Sequence, residues 1–179
     1  MRHRAYKKAS VVASLRPVVA RAMVLISEPE AADVFLDPMC GAGTIIIERG
    51  LDSRYRYLLA GDLDDAAVAA TRVNIGPRYK PINIARWDAE RMPLLDGSVD
   101  KIVCNLPFGK KSGRMVDQSI LYSGFGAETE RLLRPGGVAV ILANQDRLLA
   151  MMLRERGLLR LELRQPIRIL GMQASIFRI

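Results

Sequence analysis

The sequence predicts an α/β fold: a doubly wound, mostly parallel sheet of seven strands with an antiparallel last strand. Three observations predict it. Short β-like runs alternate with helix-like runs, the pattern of parallel strands joined by crossover helices. The C-terminal runs LLRLELRQPIRI and QASIFRI instead read as a hairpin that closes the sheet. A length of 179 residues, half of them hydrophobic and about a quarter charged, suits one globular domain with its own core.

The elements follow in order. RPVVARAMVLISEP opens with Pro17 near a helix start and carries apolar residues at helical spacing. ADVFLD reads as a buried strand, and GTIIIERG as a helix ending at Gly50. YRYLLAGD is the second strand. LDDAAVAATRVNI is a helix with Asp64 and Asp65 in its first turn, where carboxylates suit the helix dipole. INIARWD is the third strand, and VDKIVCNLP the fourth, stopped by Pro107. QSILYSGFGAETERLLR reads as a helix weakened by Gly124 and Gly126. RPGG is a turn, VAVILAN the fifth strand, and DRLLAMMLRERG a helix closed by Gly157. The terminal hairpin brings the count to seven strands.

Composition excludes several chemistries. Cys40 and Cys104 have neither CxxC spacing nor a histidine cluster, so they build no zinc site, and no metal is expected. His3 is the one histidine, which removes most Ser-His-Asp and Cys-His engines. No apolar run reaches the roughly 18 residues of a membrane span. The basic start MRHRAYKKAS leads into a helix-like segment and not into a cleavable apolar stretch, so a cytoplasmic location is expected, with no membrane partner. Lys and Arg outnumber Asp and Glu by 27 to 19, a net charge of +8 that attracts polyanions.

Doubly wound sheets bind ligands beyond the carboxyl ends of their strands, so the strand ends carry the functional reading. The first end is DPMCGAGT, Asp37 to Thr44. Gly41 and Gly43 allow close backbone approach, and the helix that follows offers free N–H groups. A dinucleotide fingerprint wants a third glycine where Ile46 stands, and a P-loop wants a lysine that is absent. Asp37 repels a pyrophosphate and suits an amine-bearing ligand such as the methionine part of S-adenosylmethionine (SAM). At the second end Asp62 lies 19 residues after Gly43, near the spacing of a carboxylate that grips ribose hydroxyls. Leu63 beside it suits an adenine face. Asp62 or Asp64 equally suits the cap of the following helix. At the third end Asp88 suits an adenine amine, with the backbone of Ala89 alongside.

The fourth end, NLPFG, is the most specific. An exocyclic amine on a base is a poor nucleophile because its lone pair is delocalised into the ring. The Asn105 side-chain oxygen and the Leu106 carbonyl form an acceptor pair for its two hydrogens. Pro107 fixes the backbone, and Phe108 can stack on a splayed base. Beyond it, Lys110, Lys111 and Arg114 in GKKSGR suit phosphate contacts that position RNA without reading sequence.

DPMCGAGTIIIE, AGDLD, RWDAERMPL and NLPFGK together resemble the Rossmann-like, class I SAM-dependent methyltransferase domain of the THUMP-associated RNA methylases. LRPVVARAMVLI is similar to the segment of that family that closes over SAM, here within residues 1–30, and ILGMQASIFRI to its last hairpin. The resemblance covers nearly the whole chain. It implies SAM held by Asp37, Met39, Cys40, Gly41, Gly43, Thr44, Asp62, Leu63, Asp88, Ala89 and Asn105, with backbone around Ser14 to Pro17. It implies a target amine at Asn105, Leu106, Pro107 and Phe108. The implied activity is methyl transfer to the 2-amino group of guanosine in RNA, most of all tRNA. Leu106 stands where many amine methyltransferases have proline, and Asn105 where some relatives have aspartate, which leaves guanine against adenine open. The family carries an RNA-binding THUMP module ahead of this domain. None is expected within 179 residues read as a single methyltransferase domain, so that module would come from a longer chain or another subunit. Alternatives are an amine methyltransferase of ribosomal RNA guanine, DNA adenine or protein glutamine, or a non-catalytic RNA-binding remnant.

Overall fold

The structure is a computed structural model that describes residues 14–108, 117–169 and 171–179. Its sheet has seven strands: β1 (Val34–Asp37), β2 (Tyr57–Asp62), β3 (Ile82–Arg86), β4 (Val99–Asn105), β5 (Leu133–Ala143), β6 (Leu163–Ile169) and β7 (Met172–Arg178). They lie in the order β3-β2-β1-β4-β5-β7-β6. Strands β1 to β5 are mutually parallel, and β7 runs antiparallel between β5 and β6.

Alternating side chains along each central strand fill two cores, one on each face of the sheet. Phe35, Val103, Val140, Leu142 and Ile176 enter the first. Leu36, Ile102, Cys104, Ala139, Ile141 and Phe177 enter the second. Helices α1 (Pro17–Ile26), α2 (Thr44–Asp52) and α3 (Asp65–Ile75) cover the first face; α4 (Gln118–Leu132) and α5 (Asp146–Arg154) cover the second. The order reverses between β1 and β4, which are neighbours in the sheet. The carboxyl ends of β1, β2 and β4 therefore meet at one crevice.

Four boundaries differ from the sequence reading. Helix α2 continues through Gly50 to Asp52. Gly50 serves close packing there, since a Cβ on it would sit 2.6 Å from Cδ1 of Tyr79. Helix α5 stops before Gly157, its cap at Glu155. Just there Glu155 accepts from Ser123 Oγ at 3.1 Å and Arg156 donates to the Ser123 carbonyl at 3.1 Å, drawing the chain toward α4. Residues 158–162 precede β6 without joining it. The RPGG turn lies inside the span of β5 as a register break: Val99 pairs with Leu133 and Lys101 with Val138, so the residues between bulge outward. Helix α4 keeps both glycines. A Cβ on Gly126 would fall 2.3 Å from Cγ of Met152, so its bare backbone is what lets α5 approach.

The amino edge of the sheet is held by Arg49, a fully buried cation in α2. It donates to the carbonyls of Glu30 at 2.7 Å, Arg54 at 3.0 Å and Ser53 at 3.2 Å, and lies 3.7 Å from the Asp33 carboxylate. The rings of Phe35 and Tyr55 each lie 5.7 Å from its guanidinium. Replacing Arg49 with Ala removes the cation beside the buried Asp33 carboxylate and the guanidinium donor to three carbonyls, and is expected to cost about 3–5 kcal/mol in urea unfolding. A loss under about 1 kcal/mol would mean that water replaces the guanidinium without penalty.

Candidate active site

The site is assembled from four loops at the carboxyl edge. Asp37 closes β1, where it pairs with Ala60 of β2. The glycine loop that follows is built on left-handed backbone, with φ of 53° at Gly41 and 79° at Gly43. Gly43 is the N-cap of α2 and caps it with no side chain. A Cβ there would meet Thr71 Cγ2 at 3.0 Å, so both conformation and space call for glycine.

Asp62, at the end of β2, is 1% exposed. Its two carboxylate oxygens accept the backbone N–H of Gly41 at 3.0 Å and of Asp64 at 3.1 Å. It thereby joins the end of β2 to the glycine loop and orients the turn into α3. The helix cap is the neighbouring acid: Asp64 accepts from Ala66 N at 2.9 Å. Thr71 and Asn74 of α3 donate to the carbonyls of Gly41 at 2.8 Å and Ala42 at 2.9 Å. Trp87 donates its indole N–H to the Pro38 carbonyl at 3.0 Å and lies against Gly61, where a Cβ would be 2.1 Å from its ring. Sequence reasoning singles out none of Thr71, Asn74 or Trp87. The one local signal is the aromatic residue just before Asp88.

Leu63 projects beside Asp62 and is 59% exposed, an apolar surface at the crevice. Asp88 is exposed and its carboxylate accepts from Glu90 N at 2.9 Å, while Ala89 is buried in the second core. The segment after them is pinned from α4. Arg131 donates to the Met92 carbonyl at 3.0 Å and the Leu94 carbonyl at 2.7 Å, and Glu128 accepts from Met92 N at 2.7 Å. The guanidinium of Arg131 holds the Glu128 carboxyl below its ordinary range.

At the fourth end Asn105 pairs with Leu142 of β5, and its side-chain oxygen is buried with no hydrogen-bond partner among the described residues. Leu106 turns its side chain into the second core and donates its N–H to the Leu142 carbonyl at 2.9 Å. The Pro107 carbonyl accepts from Gln118 Nε2 at 3.0 Å, so the start of α4 steadies this turn. Phe108 is half-buried against the first core, which leaves part of its ring open. Gly109, Lys110, Lys111 and Arg114 lie outside the described residues.

The two thiols are poor nucleophiles by position. Cys104 is fully buried, and burial followed by the charge of Asp37 pushes the Cys40 thiol far above its ordinary range. Met39 is half-buried and Thr44 buried, the latter as the first residue of α2. Helix α1 ends at the amino edge, where Arg178 donates to the Ile26 carbonyl at 2.7 Å. Ten residues rise about 15 Å along a helix, which sets the start of α1 toward the carboxyl edge. Ser14 precedes it with a buried hydroxyl that has no hydrogen-bond partner among the described residues.

SAM fits this donor set. Asp37 and Asp62 place negative charge where an ammonium and ribose hydroxyls need acceptors, the glycine loop admits close approach, and Leu63 offers an apolar face.

The family model for the RMKL-like methyltransferase domain matches residues 4–168. The chain belongs to the RMKL-like methyltransferase domain family. It is 35% identical over 147 residues to the mouse tRNA (guanine(6)-N(2))-methyltransferase THUMP3, covering 75% of this chain and 29% of that protein. The Bos taurus U6 snRNA (guanine-N(2))-methyltransferase THUMPD2 is 36% identical over 148 residues, covering 80% of this chain and 28% of that protein. The crystal structure of TrmN from Thermus thermophilus superposes with a TM-score of 0.84 at 29% identity, over 98% of this chain and 52% of that one. The chain thus spans under a third of the length of the two mammalian relatives.

The Asp62 geometry yields a measurable expectation. Asp62→Ala removes the acceptor of two loop N–H groups and is expected to weaken SAM binding by roughly 1–3 kcal/mol in calorimetric titration. Unchanged affinity would mean that Thr71 and Asn74 hold the loop unaided.

Proposed function

We propose that this domain transfers a methyl group from SAM to the exocyclic 2-amino group of guanosine in RNA, with tRNA the foremost substrate. The observation that carries this reading is the buried Asn105 oxygen at the end of β4, without a hydrogen-bond partner among the described residues and one strand from Asp37 and the glycine loop. A buried acceptor without a donor is costly, and an incoming N–H removes that cost. Bound at this edge, SAM supplies an electrophilic methyl group on a sulfonium.

The chain's own residues prepare the amine. Asn105 Oδ1 accepts one amine hydrogen and the Leu106 carbonyl takes the other. Together they hold the nitrogen with its lone pair directed away from the base plane, toward Asp37 and the glycine loop. The open part of Phe108 stacks on the base. An amide is no base, so the amine proton leaves to water after transfer. Rate enhancement comes from positioning and from acceptors set in place before reaction. The guanine-N2 specificity in the names of the mouse and Bos taurus relatives supports guanine over adenine here. An RNA-binding module in a longer chain or on another subunit would raise affinity for the whole RNA, since the domain accounts for a minor part of those relatives.

The test is methyl transfer from labelled SAM to a guanosine-containing RNA and to the same RNA carrying inosine, which lacks the 2-amino group. Label is expected in the first RNA alone. Asn105→Ala is expected to lower kcat at least about 10²-fold, the scale for one preorganised polar contact, while SAM affinity stays within about threefold. Label in the inosine RNA would refute the 2-amino target, and parallel losses of SAM binding and rate would remove Asn105 from the amine site.

A further inference from the structure

A cavity of about 650 Å³ opens at the same edge of the sheet, beyond the end of β5. That volume lies within the roughly 300–1,000 Å³ of ligand sites. The β6–β7 hairpin forms one wall with Arg164, Arg168 and Gln173, and the start of α5 forms the other with Arg147. Asn144 lines it too, and its side-chain oxygen is buried with no hydrogen-bond partner among the described residues.

Charge gives the cavity its character. Three arginines line it against a single acid, Asp146. Asp146 is already engaged by Arg164 and by the Ser175 hydroxyl at 3.4 Å. That ion pair fixes Arg164 at the wall and leaves about half of its side chain exposed. Arg147 and Arg168 are exposed and form no ion pair among the described residues. The guanidinium fork matches the geometry of phosphate oxygens.

Position gives it a role. Leu142 pairs with Asn105, and Asn144 stands two residues further along the same strand direction. At strand spacings of about 4.8 Å across and 3.3 Å along, the cavity begins within roughly 10 Å of Asn105. A base held at Asn105 has its neighbouring nucleotide in reach of this cavity.

We propose that this groove binds the single-stranded RNA backbone next to the target nucleotide. Arg147, Arg164 and Arg168 hold the phosphodiester, and Asn144 accepts a hydrogen bond from the adjoining nucleotide. The proposal rests on the reading of the chain as an RNA-modifying domain and adds the subsite that such a domain needs for a flanking nucleotide.

The experiment compares the full chain with a doubly neutralised variant, Arg147→Gln with Arg168→Gln. A charge-matched control carries Arg78→Gln with Arg160→Gln, exposed positions ahead of β3 and β6 on the amino side of the sheet. Binding of a short fluorescein-labelled single-stranded RNA is followed by anisotropy over a salt series, with SAM affinity as the check on folding. The groove variant is expected to bind RNA at least about fivefold more weakly, with the log-log salt slope flatter by about 0.7 for each phosphate that is no longer neutralised. SAM affinity and the control stay unchanged. An unaltered slope, an equal loss in the control, or no RNA binding by the parent chain with SAM affinity intact overturns the groove. Methyl transfer is scored separately. RNA binding through the groove without guanosine methylation keeps the groove and refutes the proposed reaction. Methylation with an unaffected groove variant does the reverse.

Discussion

The carboxylate of Asp62 is the constraint on which the site depends. Its two oxygens are committed to Gly41 N and Asp64 N, so one buried side chain sets the distance between the β1 loop and the β2–α3 turn. The glycine loop has left-handed backbone at Gly41 and Gly43, and its one side-chain tie is the Cys40 thiol, 3.4 Å from the Thr71 hydroxyl. Asp62 on one side and Thr71 and Asn74 on the other supply its hydrogen bonds. Trp87 then fastens the Pro38 carbonyl from the end of β3, and the ends of three strands become one unit. Preorganisation of this kind makes a loop precise enough to position a cofactor.

Against that rigid half, the β4 end presents a different chemistry. Asn105 is neutral, and its buried acceptor oxygen ends the strand next to the one that Asp37 closes. Gln118 steadies the turn through the Pro107 carbonyl. The division suits a reaction in which charge lies on the donor and the acceptor amine needs only direction. Further along the edge the charge changes sign, with the arginines of the hairpin groove facing solvent. An acidic cofactor half and a basic outer half on one edge are the arrangement that a cationic donor and a polyanionic substrate call for.

Much of this is legible in the sequence. The alternation of strands and helices and the terminal hairpin announce the sheet, and the strand-end motifs place Asp37, Gly41, Gly43, Asp62 and Asn105 along one edge because parallel strands all end there. What stays hidden is long-range. Thr71, Asn74, Gln118 and the Glu128–Arg131 pair act on loops 11 to 39 residues away in sequence, and no local pattern marks them. Glycine misleads at Gly50, which reads as a helix end, because a bare Cα serves close packing as readily as it ends a helix. Asp62 is legible as functional in place, while its hold on the glycine loop needs the fold.

Nucleoside mass spectrometry tests the central claim most directly. Unmodified tRNA and, separately, unmodified ribosomal RNA are incubated with the protein and SAM, digested and profiled. The account predicts new N2-methylguanosine in the tRNA pool. Methylated adenosine in place of methylated guanosine, or no new nucleoside in either pool while SAM binding is intact, would contradict it.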